Sequence, residues 1–407
     1  MKKELQKAFK ETKAYYCLEC GKCTGNCPIT EFKPGYSPRL MVKRVALGFD
    51  EDVVNDPDIW ECLTCNMCYE RCRSGVHLPE FVRAVRAESA DFGNLGTCSH
   101  SGMLQSLMRL MTSTKLKQKR LEWTKSYDDL QYQTEPIKKD EEDRVMLFTG
   151  CAPYFDSIFK DMNVKSTAII SSAIRILNHL GIEPIISKKE RCCGHDMLWT
   201  GEVETFEKLA TLNIANFKKL GVKTIIVTCP EGYHTLKTAY PEYFGETEGI
   251  WKDAGIEILH VTEFVADKIK NGDLKLDEIK LPKGNGGLKI TYHDPCRLGR
   301  FAGIYDAPRD ILNAIPGVEL VELDRNRHLS LCCGVSSWMN CDSVSKQIRA
   351  EKLSSAKRTE ASKLITSCPK CQIHLKCYTN NEYVEPKIDI EVEDIVVFLA
   401  NAMELGK

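Results

Sequence analysis

The chain has 407 residues, 43% of them hydrophobic, with 56 Lys and Arg against 57 Asp and Glu for a net charge of −1. That balance excludes the strongly basic surface of a nucleic-acid binder. No apolar run reaches the ~18 residues of a membrane helix, and the opening Met-Lys-Lys-Glu-Leu lacks the apolar stretch of a secretory signal. The expectation is a cytoplasmic protein of two or three domains that meets the inner face of a membrane only through a partner subunit. Its 20 cysteines would stay reduced there, so they point to metal or redox chemistry rather than disulfides.

The first eight fall in two runs, C-L-E-C-G-K-C-T-G-N-C-P (Cys17, Cys20, Cys23, Cys27) and C-L-T-C-N-M-C-Y-E-R-C (Cys62, Cys65, Cys68, Cys72). Both follow C-x2-C-x2-C-x3-C, in which three cysteines ligate one [4Fe–4S] cubane and the fourth reaches the other cluster. The spacing predicts one cluster on Cys17, Cys20, Cys23 and Cys72, and a second on Cys62, Cys65, Cys68 and Cys27. Two zinc sites are the alternative, but zinc prefers two separated C-x2–4-C knuckles. Pro28 follows the first run and Arg73 stands at that place after the second, which leaves the ligands intact. The intervening P-R-L-M-V-K-R-V-A-L-G-F has helical periodicity, so residues 1–95 read as a helical two-cluster ferredoxin domain closed by a helix over 78–92.

Residues 96–143 read as a linker. Within it, 101–111 form a Met-rich amphipathic helix that either packs on the body or offers a docking surface. K-Q-K-R at 117–120 reads as a solvated helix face, and Cys98 as structural.

From residue 144 the chain repeats itself. V-M-L-F-T-G-C at Cys151 matches K-I-T-Y-H-D-P-C at Cys296. R-C-C-G at Cys192 and Cys193 matches L-C-C-G at Cys332 and Cys333, and T-I-I-V-T-C-P at Cys229 matches K-L-I-T-S-C-P at Cys368. The separations are 145, 140 and 139 residues, close enough for one duplicated unit, with modules at 144–275 and 285–407. In each, a strand delivers a cysteine, a helix and a second strand lead to Cys-Cys-Gly, and a long helix leads to a strand that delivers the next cysteine. The fold class is therefore α/β, with an N-terminal helical ferredoxin domain. Ligands of such sheets gather beyond the carboxyl ends of the strands.

The modules differ at one place. The second ends C-P-K-C (Cys368, Cys371) and the first C-P-E-G (Cys229, Gly232). Cys296, Cys332, Cys333, Cys368 and Cys371 are one thiolate more than a cubane needs. This implies a free reactive cysteine, a bridging thiolate or an unusual cluster, and these five are the candidate catalytic set. Cys151, Cys192, Cys193 and Cys229 could hold an iron–sulfur cluster or tetrahedral zinc, with Glu231 or His234 near the missing ligand. His293, Asp294 and His195 are either proton donors or plain hydrogen-bonding groups. Cys341 and Cys377 lie outside the repeat and read as structural.

Together, H-D-P-C-R-L-G-R, C-C-G and C-P-K-C resemble the B subunit of heterodisulfide reductase, and the eight-cysteine domain resembles its C subunit. The single-chain arrangement is similar to the D subunit of the membrane-linked enzyme. The same layout occurs in iron–sulfur subunits of glycolate and glycerol-3-phosphate dehydrogenases. The resemblance implies a non-cubane [4Fe–4S] cluster on the five-cysteine set of the second module. It also implies electron transfer from the ferredoxin clusters to that cluster, where a disulfide is reduced. Carried to the first module it stops at four residues, because Gly232 stands where the fifth cysteine is expected. The competing expectation is a pure relay between a flavoprotein and a quinone or other acceptor. No G-x-G-x-x-G follows a strand, so either role calls for a partner: a flavoprotein like the reductase's A subunit, a cytochrome b or a dehydrogenase subunit.

Overall fold

A computed structural model describes residues 3–135, 144–245, 249–279 and 287–406; the end of the expected linker, 136–143, lies outside them. Among the described residues up to 97 the regular elements are all helices, joined by the loops that carry most of the cysteines. Helix α1 (Lys3–Glu11) packs on α3 (Leu78–Asp91), with α2 (Pro38–Ala46) between the cysteine runs. Ser37 caps α2 by accepting from Leu40 N, and Pro38 supplies a preset first turn. In α3, Leu78, Phe81, Val82 and Val85 recur at i, i+3, i+4 and i+7 and are all buried.

Each repeat is a parallel sheet. Strands β1 (Val145–Phe148), β2 (Thr224–Val227) and β3 (Glu257–His260) lie in the order β1-β2-β3. Strands β4 (Leu288–His293), β5 (Val318–Leu320), β6 (Lys363–Thr366) and β7 (Glu391–Asp394) lie in the order β5-β4-β6-β7. Strands β1, β2 and β3 correspond to β4, β6 and β7, in registers Val145↔Thr224↔Glu257 and Ile290↔Lys363↔Glu391. The modules share one core. Leu147 and Ile226 of the first sheet join Ile290, Tyr292 and Ile365 of the second in a single apolar cluster, sealed by helices Ser166–His179 and Ile395–Ala402.

Two expectations change. The strand ahead of the first Cys-Cys-Gly is a single paired residue, Ile185. Its N–H donates to Val145 O at 2.9 Å, and its carbonyl accepts from Leu147 N at 3.1 Å. Pro184 has no N–H to extend that pairing, and Gln133 from the linker covers the other side, donating to Pro184 O at 3.0 Å. The K-Q-K-R segment is no helix. Arg120 in it is 3% exposed and pairs with the buried Glu190 at 2.6 Å. The Met-rich helix α4 (Met103–Met111) buries Leu104, Met108 and Met111 in the first module's core. Its Gln105 donates to Ser337 O of the second module at 3.1 Å, so it packs rather than offering a free face.

Candidate functional site

The two N-terminal runs form a pseudo-symmetric pair, and the fourth cysteine of each turns toward the other run. Burial pushes the Cys23 thiol up, and the nearby Cys17 and Cys72 add to the shift. Burial pushes Cys27 up to about 12, with Cys65 and Cys62 adding. Cys17, Cys20, Cys23 and Cys72 line a cavity of about 280 Å³, which Cys68 of the second run also borders. The two loops share one backbone conformation: Glu19 and Thr64 have φ of 50° and 46°, and Gly21 and Asn66 have 74° and 65°.

Their surroundings differ completely. In the first loop Leu18 is 70% exposed and Cys20 is exposed; in the second Leu63 is 8% and Thr64 0% exposed, and Cys65 is buried. The second module does the covering. Arg297 donates to Thr64 O and Thr64 Oγ1, both at 2.9 Å. Arg300 donates to Cys65 O at 2.6 Å and to Ser330 O at 2.7 Å. Thr64 and Ser336 hydroxyls meet at 2.8 Å. The guanidinium of Arg86 reaches Cys62 O at 2.7 Å from the other side. The two arginines of C-R-L-G-R thus clamp a loop more than 230 residues away in sequence, a role that no local pattern announces.

The clamp brings Cys65 to the five-cysteine set of the second module. Cys332 lies in one buried cluster with Cys65, Cys333, Cys368 and Cys371, and Cys296 packs against it. Cys296 follows β4 and Cys368 follows β6, where helix Pro369–Thr379 begins with Cys371 N donating to Cys368 Sγ at 3.4 Å. His374 Nδ1 lies 3.4 Å from Cys333 Sγ. Cys332, Cys333, Cys368 and Cys371 are buried and Cys296 is half-buried.

In the first module Cys151 Sγ lies 2.9 Å from Cys192 Sγ. Cys151, Cys192, Cys193 and Cys229 line one small cavity with Gly232, Glu231, His195, Asp196 and Lys370. Pro369 and Lys370, which directly follow Cys368 in the second module, line the same cavity, so the two sets abut. Lys370 Nζ crosses the same boundary, 2.6 Å from both Asp196 Oδ1 and Glu231 Oε2. His195, Asp196 and Glu231 also have the spacing of a cation site, their ligand atoms within 4.8 Å of one another, but the Lys370 ammonium already sits between the two carboxylates. Burial still pushes the Glu231 carboxyl up to about 8 against the pull of Lys370. His234 packs edge-on against Phe301 at 4.9 Å and is not among the residues lining the cavity.

Of the expected proton donors, Asp294 is engaged as an anchor: Arg309 holds it at 2.7 and 3.0 Å, and Arg327 N donates to it at 2.8 Å. His293 is wholly buried and pushed down to about 3 by desolvation, so it is neutral near pH 7. His195 is neutral for the same reason, with Thr235 Oγ1 at 3.2 Å and Glu231 Oε1 at 3.5 Å. Cys98 pairs with Met339 across an isolated bridge, and exposed Cys341 accepts from Arg349 Nη2 at 3.4 Å. Neither joins a cysteine set.

Residues 145–237 and 290–376 match the cysteine-rich domain, CCG, and residues 13–76 match the 4Fe-4S dicluster domain. The chain belongs to the CCG-domain iron–sulfur proteins. It is 28% identical to the D subunit of the dihydromethanophenazine:CoB–CoM heterodisulfide reductase of Methanosarcina mazei, over 96% of this chain and 94% of that one. It is 26% identical to the EtfAB:quinone oxidoreductase of Syntrophomonas wolfei, over 95% of this chain and 58% of that protein. A hypothetical protein from Helicobacter pylori shares the fold, with a TM-score of 0.55, 12% identity and coverage of 89% of this chain and 66% of that one. Within this family the chain is an iron–sulfur oxidoreductase related to subunits of larger complexes. Among the described residues no helix is long and apolar enough to cross a membrane.

The residues present fit such clusters. Thiolates are the soft donors that iron–sulfur clusters take, and the structure gathers them into cysteine-lined cavities and a buried cluster.

Proposed function

We propose that this chain is the electron-transferring and substrate-reducing subunit of a heterodisulfide-reductase-like complex. Cys17, Cys20, Cys23 and Cys72 hold one [4Fe–4S] cubane, and Cys62, Cys65, Cys68 and Cys27 hold a second. Cys296, Cys332, Cys333, Cys368 and Cys371 hold a non-cubane [4Fe–4S] cluster at which a disulfide or related substrate is reduced. Cys151, Cys192, Cys193 and Cys229 hold a different centre, an iron–sulfur cluster or zinc.

The observation that carries the reading is the packing of Cys65 into one buried cluster with Cys332, Cys333, Cys368 and Cys371, which joins the ferredoxin domain to the five-cysteine set. Bound there, the clusters supply one-electron transfer; opening a disulfide to two thiols takes two electrons and two protons. Arg297 and Arg300 keep the two sets in contact and exclude water between them. Lys370 ties the second module to Asp196 and Glu231 of the first, holding the two cysteine sets together. The partner is a flavoprotein, a cytochrome b or a dehydrogenase subunit, and any membrane contact runs through it.

The likeness to the EtfAB:quinone oxidoreductase and the missing fifth cysteine at Gly232 favour a second reading, a pure relay with no substrate of its own. One experiment separates the two. The anaerobically purified chain is reduced with methyl viologen radical and offered the CoM–CoB heterodisulfide. Thiol release that Cys371→Ala abolishes, with the N-terminal paramagnetic signals intact, supports the reductase. Reduction of every cluster with no thiol release selects the relay.

A further inference from the structure

The two cysteine loops of the N-terminal domain are conformational copies, yet only one is covered. Thr64 and Leu63 are sealed by the second module, whereas their counterparts Glu19 and Leu18 are exposed. Tyr15, Tyr16, Leu18, Leu40, Leu47 and Phe49 fall within a 35-residue stretch that includes the open loop and make up half of the large exposed hydrophobics among the described residues; Arg39 and Lys43 of α2 reach Glu19 in that loop. Scattered singly they would need no explanation; gathered around one loop they mark an interaction site. Leu40 of α2 and Leu47 at its C-terminal cap stand seven residues apart, with Lys43 between them. The Tyr15 and Tyr16 rings lie tilted at 34°, their centroids 3.9 Å apart.

The rim is basic. Lys13 and Lys22 are exposed, and Arg39 and Arg73 border the cysteine cavity. Glu19 in the loop is held by Lys43 at 2.6 Å and Arg39 at 3.5 Å, whereas the acids Asp50, Glu51 and Asp52 follow Phe49. A positive rim on a chain whose net charge is −1 is a local feature that would steer an acidic partner.

We propose that the Tyr16–Leu18–Leu47 surface around the Cys20 loop is the electron-entry dock, and that its occupant is an electron-carrying protein with an apolar contact centre and an acidic rim. The proposal rests on the pair of N-terminal cubanes proposed above. The second module covering Leu63 and Thr64 is the intramolecular counterpart of that occupant. The pseudo-symmetry of the domain thus gives it one loop for the electron's exit within the chain and one for its entry from outside.

The test uses the full chain with its clusters and two electron donors, a reduced acidic bacterial ferredoxin and the small methyl viologen radical. Bleaching of the chain's visible absorbance is followed by anaerobic stopped flow. Leu18→Glu and Tyr16→Glu should each slow reduction by the ferredoxin at least tenfold and leave reduction by the viologen within twofold. Raising the salt from 50 to 500 mM should slow only the ferredoxin reaction. Where Leu18→Glu loses iron, Leu47→Glu on the far edge of the patch gives the same reading without touching the cysteine loop. Leu110→Glu, an exposed apolar residue on α4, is the control and should change neither rate. Ferredoxin rates unaffected by the loop variants overturn the dock. So does a chain that accepts electrons from viologen but never from the ferredoxin, and that outcome leaves the cubanes standing. N-terminal cysteines that hold no reducible cluster overturn both.

Discussion

Replacing Arg120 by Met tests whether a residue far from every cysteine in sequence sets the first cysteine module. Glu190 lies two positions before Cys192. Its Oε1 accepts from Thr149 N at 3.1 Å, Thr149 Oγ1 at 2.8 Å and Gly150 N at 2.8 Å, and it faces Arg120 at 2.6 Å. It therefore ties the turn that delivers Cys151 to the loop that carries Cys192. The side chains of the pair are 1% and 0% exposed. Removing one partner of such a pair costs about 3–5 kcal/mol, because the other charge is left buried and uncompensated. Two observations place Arg120→Met near the lower end, about 3 kcal/mol. Arg120 Nε and Nη1 have no partner, so deleting the guanidinium also removes part of its own desolvation cost. Burial already pushes the Glu190 carboxyl up, so it can escape part of the penalty by taking a proton. The double variant Arg120→Met, Glu190→Gln removes both charges yet keeps an acceptor for Thr149 and Gly150, and should cost about half as much as the single one. A chain of several domains has no single unfolding free energy, so the assay is hydrogen exchange of peptides covering 145–151 and 190–194. A change under about 1 kcal/mol in Arg120→Met, or a double variant as damaged as the single, refutes the reasoning.

Three further outcomes are expected. A Cβ built on Gly232 meets Val227 Cγ1 at 3.2 Å and Cys229 Cβ at 3.8 Å, so Gly232→Cys needs only a small shift and places a fifth thiol beside the first set. Anomalous diffraction at the iron and zinc edges should find unlike centres in the two modules of the parent and like ones in the variant; like centres in the parent would remove the asymmetry. Arg297→Gln takes away a buried cation beside Cys65 that stabilises the extra electron. The reduction potential of the cluster at that loop should fall by roughly 60 mV, tenfold in a one-electron equilibrium, read by redox titration with paramagnetic resonance; an unchanged potential rules the effect out. His260 is fully buried at the start of helix Val261–Lys270 and is pushed down to about 3 by desolvation. The unfolded chain therefore binds the proton first, and stability is lost as pH falls below about 6.5, by about 2 kcal/mol at pH 5. Hydrogen exchange of that helix should show the loss, and His260→Asn, which keeps a capping side chain, should abolish it.

The cysteine ladder was legible because its chemistry is local. C-x2-C-x2-C-x3-C gathers most of its ligands in one loop, and a duplicated sheet repeats its cysteines at the same strand ends, so spacing alone led from sequence to the two runs and the two modules. What escaped was carried by contacts across long separations. Arg297 and Arg300 look like any basic pair beside a cysteine until Thr64 and Cys65 arrive beneath them. Arg120, within a charged segment, reads as solvated because nothing nearby in sequence announces Glu190 70 residues on. Strand β7 is four residues, E-V-E-D, in which only Val392 and Asp394 are buried, and three acids in four hide its two-residue period. These unread residues share one property: each joins parts of the chain that bear cysteines without bearing one itself. The sequence thus announces donors by composition and spacing, while the distances between donor sets are fixed by buried cations whose partners only the fold supplies. For the electron transfer proposed between such sets, those distances matter as much as the donors, so the arginine clamp and the Lys370 tie belong to the site as fully as the thiols do.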